Sequence, residues 1–334
     1  AGSGLDCGAV LAFVLIALLA LAQAWPPFGQ PAATLFNEAA ANLDKAPVVD
    51  LTSASWVQAG MNFSGEIVAD RRGQARFDLH TPGGPVTGLM VGGKVYVKAA
   101  RLFWTAVDRT ALDPSLARVL ADRWVLDRDT SLSQALDAAA RPHAFNSLAT
   151  PDLRKGATGA VDGHRVVELS SRGGSAWVTT DEPTRFVRIA SAAVSTDSGV
   201  SQLHGILRYP PALTVTAPAP VLDPLDPTTF PARYVYVSGD SSLPPCDPNN
   251  CKAGAVVRNV GGRPDGQASL TLSFKSSDGA SALGSCSANI PAIAHDQTEA
   301  VGCAVQSPAL QAYFRAGHAS FAFETAIHNP AWDG

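Results

Sequence analysis

The sequence predicts an α+β protein with an N-terminal membrane-spanning helix, an antiparallel sheet interrupted by helices, and a small disulfide-bonded β-sandwich. Three observations predict it. An uncharged apolar run opens the chain, alternating strands broken by helical stretches follow, and four of the five cysteines lie beyond residue 240. The chain has 334 residues, 46% of them hydrophobic and 16% charged, so it can fill real cores and is not a disordered polymer. That length allows two ordinary domains. The net charge is −4 and no Lys/Arg cluster is written in the sequence, so the basic face that nucleic acid requires is missing and no nucleic-acid partner is expected. The bias toward Arg (19 Arg against 6 Lys), with many Ala, Gly and Pro, reads as a high-GC coding bias of the actinobacterial kind.

The first element is the apolar run. No Asp, Glu, Lys or Arg occurs from Cys7 to Asn37, and Gly8 to Ala22 is an unbroken stretch of 15 small or apolar residues. Extended from Leu5 to Trp25, the run is 21 residues, or roughly 31 Å of helix, close to the thickness of a bilayer core. Gly8, Ala12, Phe13 and Ile16 fall within it, Trp25 sits where an interfacial aromatic anchor belongs, and Pro26-Pro27 stops the helix. Residues 1–29 are therefore expected to be a membrane anchor and its flank. A cleaved signal peptide, with Ala20-Leu21-Ala22 or Ala22-Gln23-Ala24 as its processing site, is the alternative. Cys7 precedes the run, so lipoprotein-type lipidation is not expected.

Residues 30–216 are expected to form the first globular domain. Residues 33–46 read as a helix with Leu35, Phe36, Ala39 and Leu43 near one face. Met61–Ile67, Ala75–His80, Val86–Val91 and Lys94–Lys98 then alternate as strands, with Gly92-Gly93 as a two-residue hairpin turn. Helical patterns follow at Ser115–Asp122 and Ser131–Leu148, the second with Leu132 and Leu136 at helical spacing. Strands resume at Gly156–Val161, Arg165–Ser170, Ala176–Thr180, Arg185–Ala190 and Ser201–Tyr209. Residues 217–229, beginning Ala-Pro-Ala-Pro, read as a stiff Pro-rich linker. Residues 230–334 carry short strands at regular spacing, for example Arg233–Ser238, Ala253–Asn259, Ser269–Ser276 and Ala319–Ile327. That is the pattern of a small sandwich of the immunoglobulin-like kind.

The cysteines set the compartment. The tight Cys246-Asp-Pro-Asn-Asn-Cys251 loop favours a Cys246–Cys251 bridge and leaves Cys286 to pair with Cys303. A four-cysteine zinc site is the rival, but it needs two closely spaced knuckles and the second pair is far apart. Disulfides place the globular bulk on the oxidising, extracytoplasmic side of the membrane.

Chemistry is sparse. There is no nucleophile elbow, no zinc-protease helix, no P-loop and no dinucleotide fingerprint. The seven His are scattered, with His164 after a turn and His80 on the polar side of its strand. No cofactor, no metal and no catalytic residue is expected. Apolar and aromatic residues remain: Phe63, Ile67, Phe77, Leu79, Leu89, Val95, Val97, Phe103, Trp104 and Leu136 are the candidates to line a ligand cavity between sheet and helices.

The order of features over residues 33–212 resembles the actinobacterial lipid-handling lipoproteins of the LppX and LprG type, which are similar to the LolA and LolB carriers. The resemblance rests on the opening helix, Phe63–Ile67 (FSGEI), Val91–Lys98 (VGGKVYVK), Leu102–Ala106 (LFWTA), Ala121–Leu126 (ADRWVL), Val161–Leu169 (VDGHRVVEL) and Ser175–Phe186. It implies a strongly curved antiparallel sheet wrapped over helices, with an apolar pocket for acyl chains. Two departures matter. Members of that family are held by a lipidated Cys, and they usually lack a C-terminal disulfide sandwich. A permanent anchor opposes shuttling between membranes, so the expected role is a non-catalytic, membrane-anchored extracytoplasmic accessory or assembly subunit of a larger membrane complex. A respiratory supercomplex is the leading host. Small residues Gly8, Ala9, Ala12, Ala17 and Ala20 suit the anchor to packing against integral-membrane partners. The alternative is an anchored protein that binds or transfers a membrane lipid or another acyl-chain ligand.

Overall fold

A computed structural model describes residues 29–58, 61–107, 114–128, 148–191, 200–239, 246, 251–264, 267–318 and 320–333. The expected anchor, with Gly8, Ala12, Phe13, Ile16 and Trp25, lies outside the described residues, as does most of the expected helix around Leu136. Among the described residues no helix is long and apolar enough to cross a membrane. The chain divides into two compact units, one running to Val95 and including Arg128–Ala217, the other made of Tyr96–Asp127 and Pro218 onward.

The first unit opens with α1 (Ala32–Lys45), whose Leu35, Phe36, Ala39 and Leu43 are buried on one face. Pro31 precedes it and the Ala46 N–H closes its end on the Leu43 carbonyl, with Lys45 in the last turn. Phe36 meets Phe186 edge-on at 5.3 Å between centroids, and the Asn42 amide donates to the Thr184 carbonyl at 2.8 Å. Then come β1 (Val48–Gln58), β2 (Met61–Asp70), β3 (Ala75–Thr81) and β4 (Gly84–Val91). Strand β5 (Lys94–Ala99) leads into the second unit, where α2 (Arg101–Val107), α3 (Pro114–Leu120) and β6 (Trp124–Asp127) lie. The chain returns as β7 (Arg154–Val161), β8 (His164–Ser171), β9 (Gly174–Thr179), β10 (Phe186–Ser191) and β11 (Val200–Arg208).

These strands lie in the order β4-β3-β2-β1-β11-β10-β9-β8-β7. Two antiparallel meanders are thus joined where β1 pairs with β11. Strand β3 shows why the sheet has one buried face: Ala75, Phe77 and Leu79 are buried while Arg76, Asp78 and His80 are exposed. Gly88 on β4 makes room for this packing, because a Cβ there would lie 1.6 Å from the Phe77 ring. Register shifts interrupt β1–β2, β1–β11, β7–β8 and β9–β10. Such irregularities bend strands and increase twist, consistent with a curved sheet. Asp162 and Gly163, both at positive φ, turn β7 into β8.

In the second unit, Val221–Leu222 form β12 inside the Pro-rich stretch and pair in parallel with β6. Val119, Leu120, Val125, Leu222, Phe230 and Trp332 share a small core there. The remaining strands are β13 (Tyr234–Gly239), β14 (Cys251–Asn259), β15 (Ser269–Ser276), β16 (Ala282–Asn289), β17 (Thr298–Val305) and β18 (Phe321–His328). Helix α4 (Pro308–Arg315) precedes β18 and α5 (Pro330–Asp333) follows it. Two three-stranded sheets result, β13-β14-β17 and β16-β15-β18. They enclose Ala255, Val257, Leu270, Leu272 and Phe274. Cys246 bonds to Cys251, and Cys286 on β16 bonds to Cys303 on β17, which ties one sheet to the other. Both bridges and both pairings are those favoured from the spacing.

Candidate functional site

The sheet of the first unit ends in a groove. Its floor is set by register: Val48 at the start of β1 faces Asp70 at the end of β2, and Asp50 faces Arg208 near the end of β11. The α1–β1 connection therefore runs beside the β2–β3 turn, where the Arg71 N–H donates to the Pro47 carbonyl at 3.3 Å. The chain leaving β11 passes the same strand ends through Tyr209, Pro210 and Pro211. The Tyr209 hydroxyl donates to the Phe186 carbonyl at 2.8 Å, which fixes that segment to the start of β10.

Three adjoining clefts follow from this convergence. The first, about 300 Å³, is lined by Lys45, Pro47, Asp70, Arg71, Arg72 and Pro211, among others. The second, about 310 Å³, shares Lys45, Pro47 and Pro211 with the first and adds Pro183, Arg185 and Tyr209. The third, about 280 Å³, shares Arg185 and Tyr209 with the second and adds Asp162, His164 and Arg208. Shared walls make them one path along the strand ends.

The electrostatics are specific. Arg208 Nε donates to Asp162 at 2.9 Å, and this hydrogen bond holds the Asp162 carboxyl below its ordinary range. Asp70 is committed to its own turn, accepting from the Arg72 and Gln74 N–H groups at 2.9 and 2.8 Å. Lys45, Arg71, Arg72 and Arg185 make no ion pair among the described residues. Arg185 lies 5.1 Å above the Tyr209 ring. Burial pushes the Tyr209 hydroxyl well above the ordinary phenol range, so it stays a neutral donor.

The sequence-expected cavity residues sit elsewhere. Ile67, Phe77, Leu79, Val95 and Val97 are buried, and Phe63, Leu89, Phe103 and Trp104 are half-buried. Leu136 lies outside the described residues. None of the other nine lines the three clefts. Phe63 stacks on Trp56 at 5.4 Å, and Phe103 meets Trp104 edge-on at 5.3 Å. His164 and His80 are exposed as their positions implied. No group of three or more His, Cys, Asp or Glu that could hold a metal occurs among the described residues. The groove's cations were missed in the sequence because they come from α1, a turn, a loop and β11.

No family model and no curated protein matches this chain. Among solved structures it is similar to the Pseudomonas aeruginosa MucA/MucB complex, at 15% identity over 75% of this chain and 82% of that chain, with a TM-score of 0.29. A structure of MucB in complex with MucA(peri) gives 14% identity over 75% and 81%, with a TM-score of 0.27. A similarity at this level assigns neither fold nor function.

Proposed function

We propose that this chain is a non-catalytic, extracytoplasmic accessory subunit of a membrane protein complex, held to the bilayer through residues 1–29. The observation that carries the reading is what its polar side chains do. Three aspartates and one histidine hold backbone. Asp70 closes the β2–β3 turn, Asp278 closes the β15–β16 turn, and Asp226 caps the turn at Pro227–Thr229. The His295 ring bonds the Gly261 carbonyl. Two disulfides support the oxidising compartment. The uncharged run from Cys7 to Trp25 supports the anchor.

Gentle solubilisation of source membranes tests this reading. Integral-membrane proteins co-eluting with the chain through gel filtration are the expected result, and elution of the chain alone contradicts it. A second reading, an anchored lipid- or amphiphile-binding protein, is supported by the apolar inner face that Ile67, Phe77, Leu79 and Val86 build on adjacent strands. Native mass spectrometry of the same eluate separates the two, because only the second reading expects a bound lipid on the chain itself.

A further inference from the structure

The groove of the first unit concentrates positive charge in a chain whose net charge is −4. Lys45, Arg71 and Arg72 stand at one end, and Arg185 and Arg208 at the other. The carboxylates in its lining are Asp70 and Asp162, one bonded to turn N–H groups and the other to Arg208. Asp70 keeps its charge, so beside Lys45, Arg71 and Arg72 it leaves a surplus of two positive charges at that end. Between the charged ends the wall is apolar and stiff, made of Ala46, Pro47, Pro183, Pro210, Pro211 and the Tyr209 ring.

Several other cations of the sheet are paired. Arg76 meets Glu66 and Asp78, Arg165 meets Asp181, and Arg172 meets Asp152. Cations left unpaired along one concave path repel each other, and an anion between them removes that cost. Guanidinium groups present fixed donor forks that match oxyanions in pairs. The surplus of two positive charges at the Lys45–Arg71–Arg72 end is matched by a ligand group bearing two negative charges.

From this geometry we infer that the groove binds a phosphate-type oxyanion, with Lys45, Arg71 and Arg72 as its contacts and the proline–tyrosine wall toward Arg185 against the ligand's uncharged part. The site is independent of the accessory role and of the anchor. The oxyanion belongs either to a soluble phosphate compound or to the headgroup of an anionic lipid.

Calorimetric titration of the full chain with inorganic pyrophosphate at low ionic strength is one arm of the test. Flotation with phosphatidylglycerol vesicles, against phosphatidylcholine vesicles, is the other. Two variants are compared with wild type: Arg71→Gln with Arg72→Gln in the groove, and Lys252→Gln with Lys275→Gln in the second unit as a control for the same change in net charge. All these side chains are exposed or half-buried, and urea midpoints confirm that each variant folds. Binding in either arm that weakens about tenfold or more in the groove variant, yet holds in the control, is expected. Pyrophosphate binding alone assigns a soluble ligand, and flotation with phosphatidylglycerol in excess of that with phosphatidylcholine, which the anchor alone would give equally, assigns a headgroup. No binding in either arm, or equal weakening in both variants, overturns the inference.

Discussion

Phe77 and Gly88 show how one residue's absence of bulk fixes a neighbour. The Phe77 ring is fully buried and occupies the space that any β-carbon at position 88 would need. Gly88→Ala is therefore expected to cost about 1–3 kcal/mol through overpacking, measured as a lowered urea midpoint. Asn259 is the polar counterpart. Its amide donates to the Gly262 and Ile293 carbonyls, and its oxygen accepts from the Gly261 and Arg233 N–H groups, all in a buried setting. Asn259→Ala leaves those backbone groups unmet and is expected to cost about 1–3 kcal/mol in the same assay.

Asp50 behaves in the opposite sense to the turn aspartates. Burial, then repulsion from Glu66, raises its carboxyl above the ordinary value, and one of its oxygens is buried without a hydrogen-bond partner. A raised carboxylate opposes folding when charged, so its cost is present at neutral pH and fades as pH falls through the folded-state value. Asp152, Asp162 and Asp278 are held low by hydrogen bonds from Thr150, Arg208 and Ser276 respectively. Their support is present above the unfolded value and is lost as pH falls through the folded one. Asp50→Asn should thus flatten the loss of stability on going from mildly acidic to neutral pH, while leaving the acid limb below about pH 4 intact. Urea midpoints measured across that range check both halves; an unchanged profile contradicts the assignment to Asp50.

At the scale of elements, α1 was legible because its apolar residues recur at helical spacing, and the hairpin at Gly92-Gly93 because two glycines at positive φ suit that turn. Strand β1 was not legible. Its sequence, Val48–Gln58, carries polar residues on both sides of a register break between Leu51 and Ala54, so simple alternation fails. Strand β6 is only four residues and pairs with a two-residue strand far along the chain, which no local pattern encodes. The groove was illegible for a related reason: its cations are spread from Lys45 to Arg208 and meet only through strand register. The cysteines were legible because loop length discriminates between pairings. The Cys286–Cys303 bridge closes a separation of 17 residues and joins the sandwich sheets. Cys286→Ser with Cys303→Ser is expected to lower stability by about 3 kcal/mol, read from thermal or urea unfolding of the full chain.

At the scale of the whole molecule, composition and disposition agree. Two disulfides tie the second unit, aspartates and His295 hold backbone, and exposed cations line one groove of the first. These features support the proposal of an accessory subunit. The claim beneath it is that the second unit matures and works in an oxidising space. Intact cells treated with a membrane-impermeant maleimide, with and without an impermeant reductant, test it most directly. Labelling at Cys246, Cys251, Cys286 and Cys303 that appears only after reduction, without lysis, is the predicted result. Labelling without reductant, or only after lysis, would contradict it.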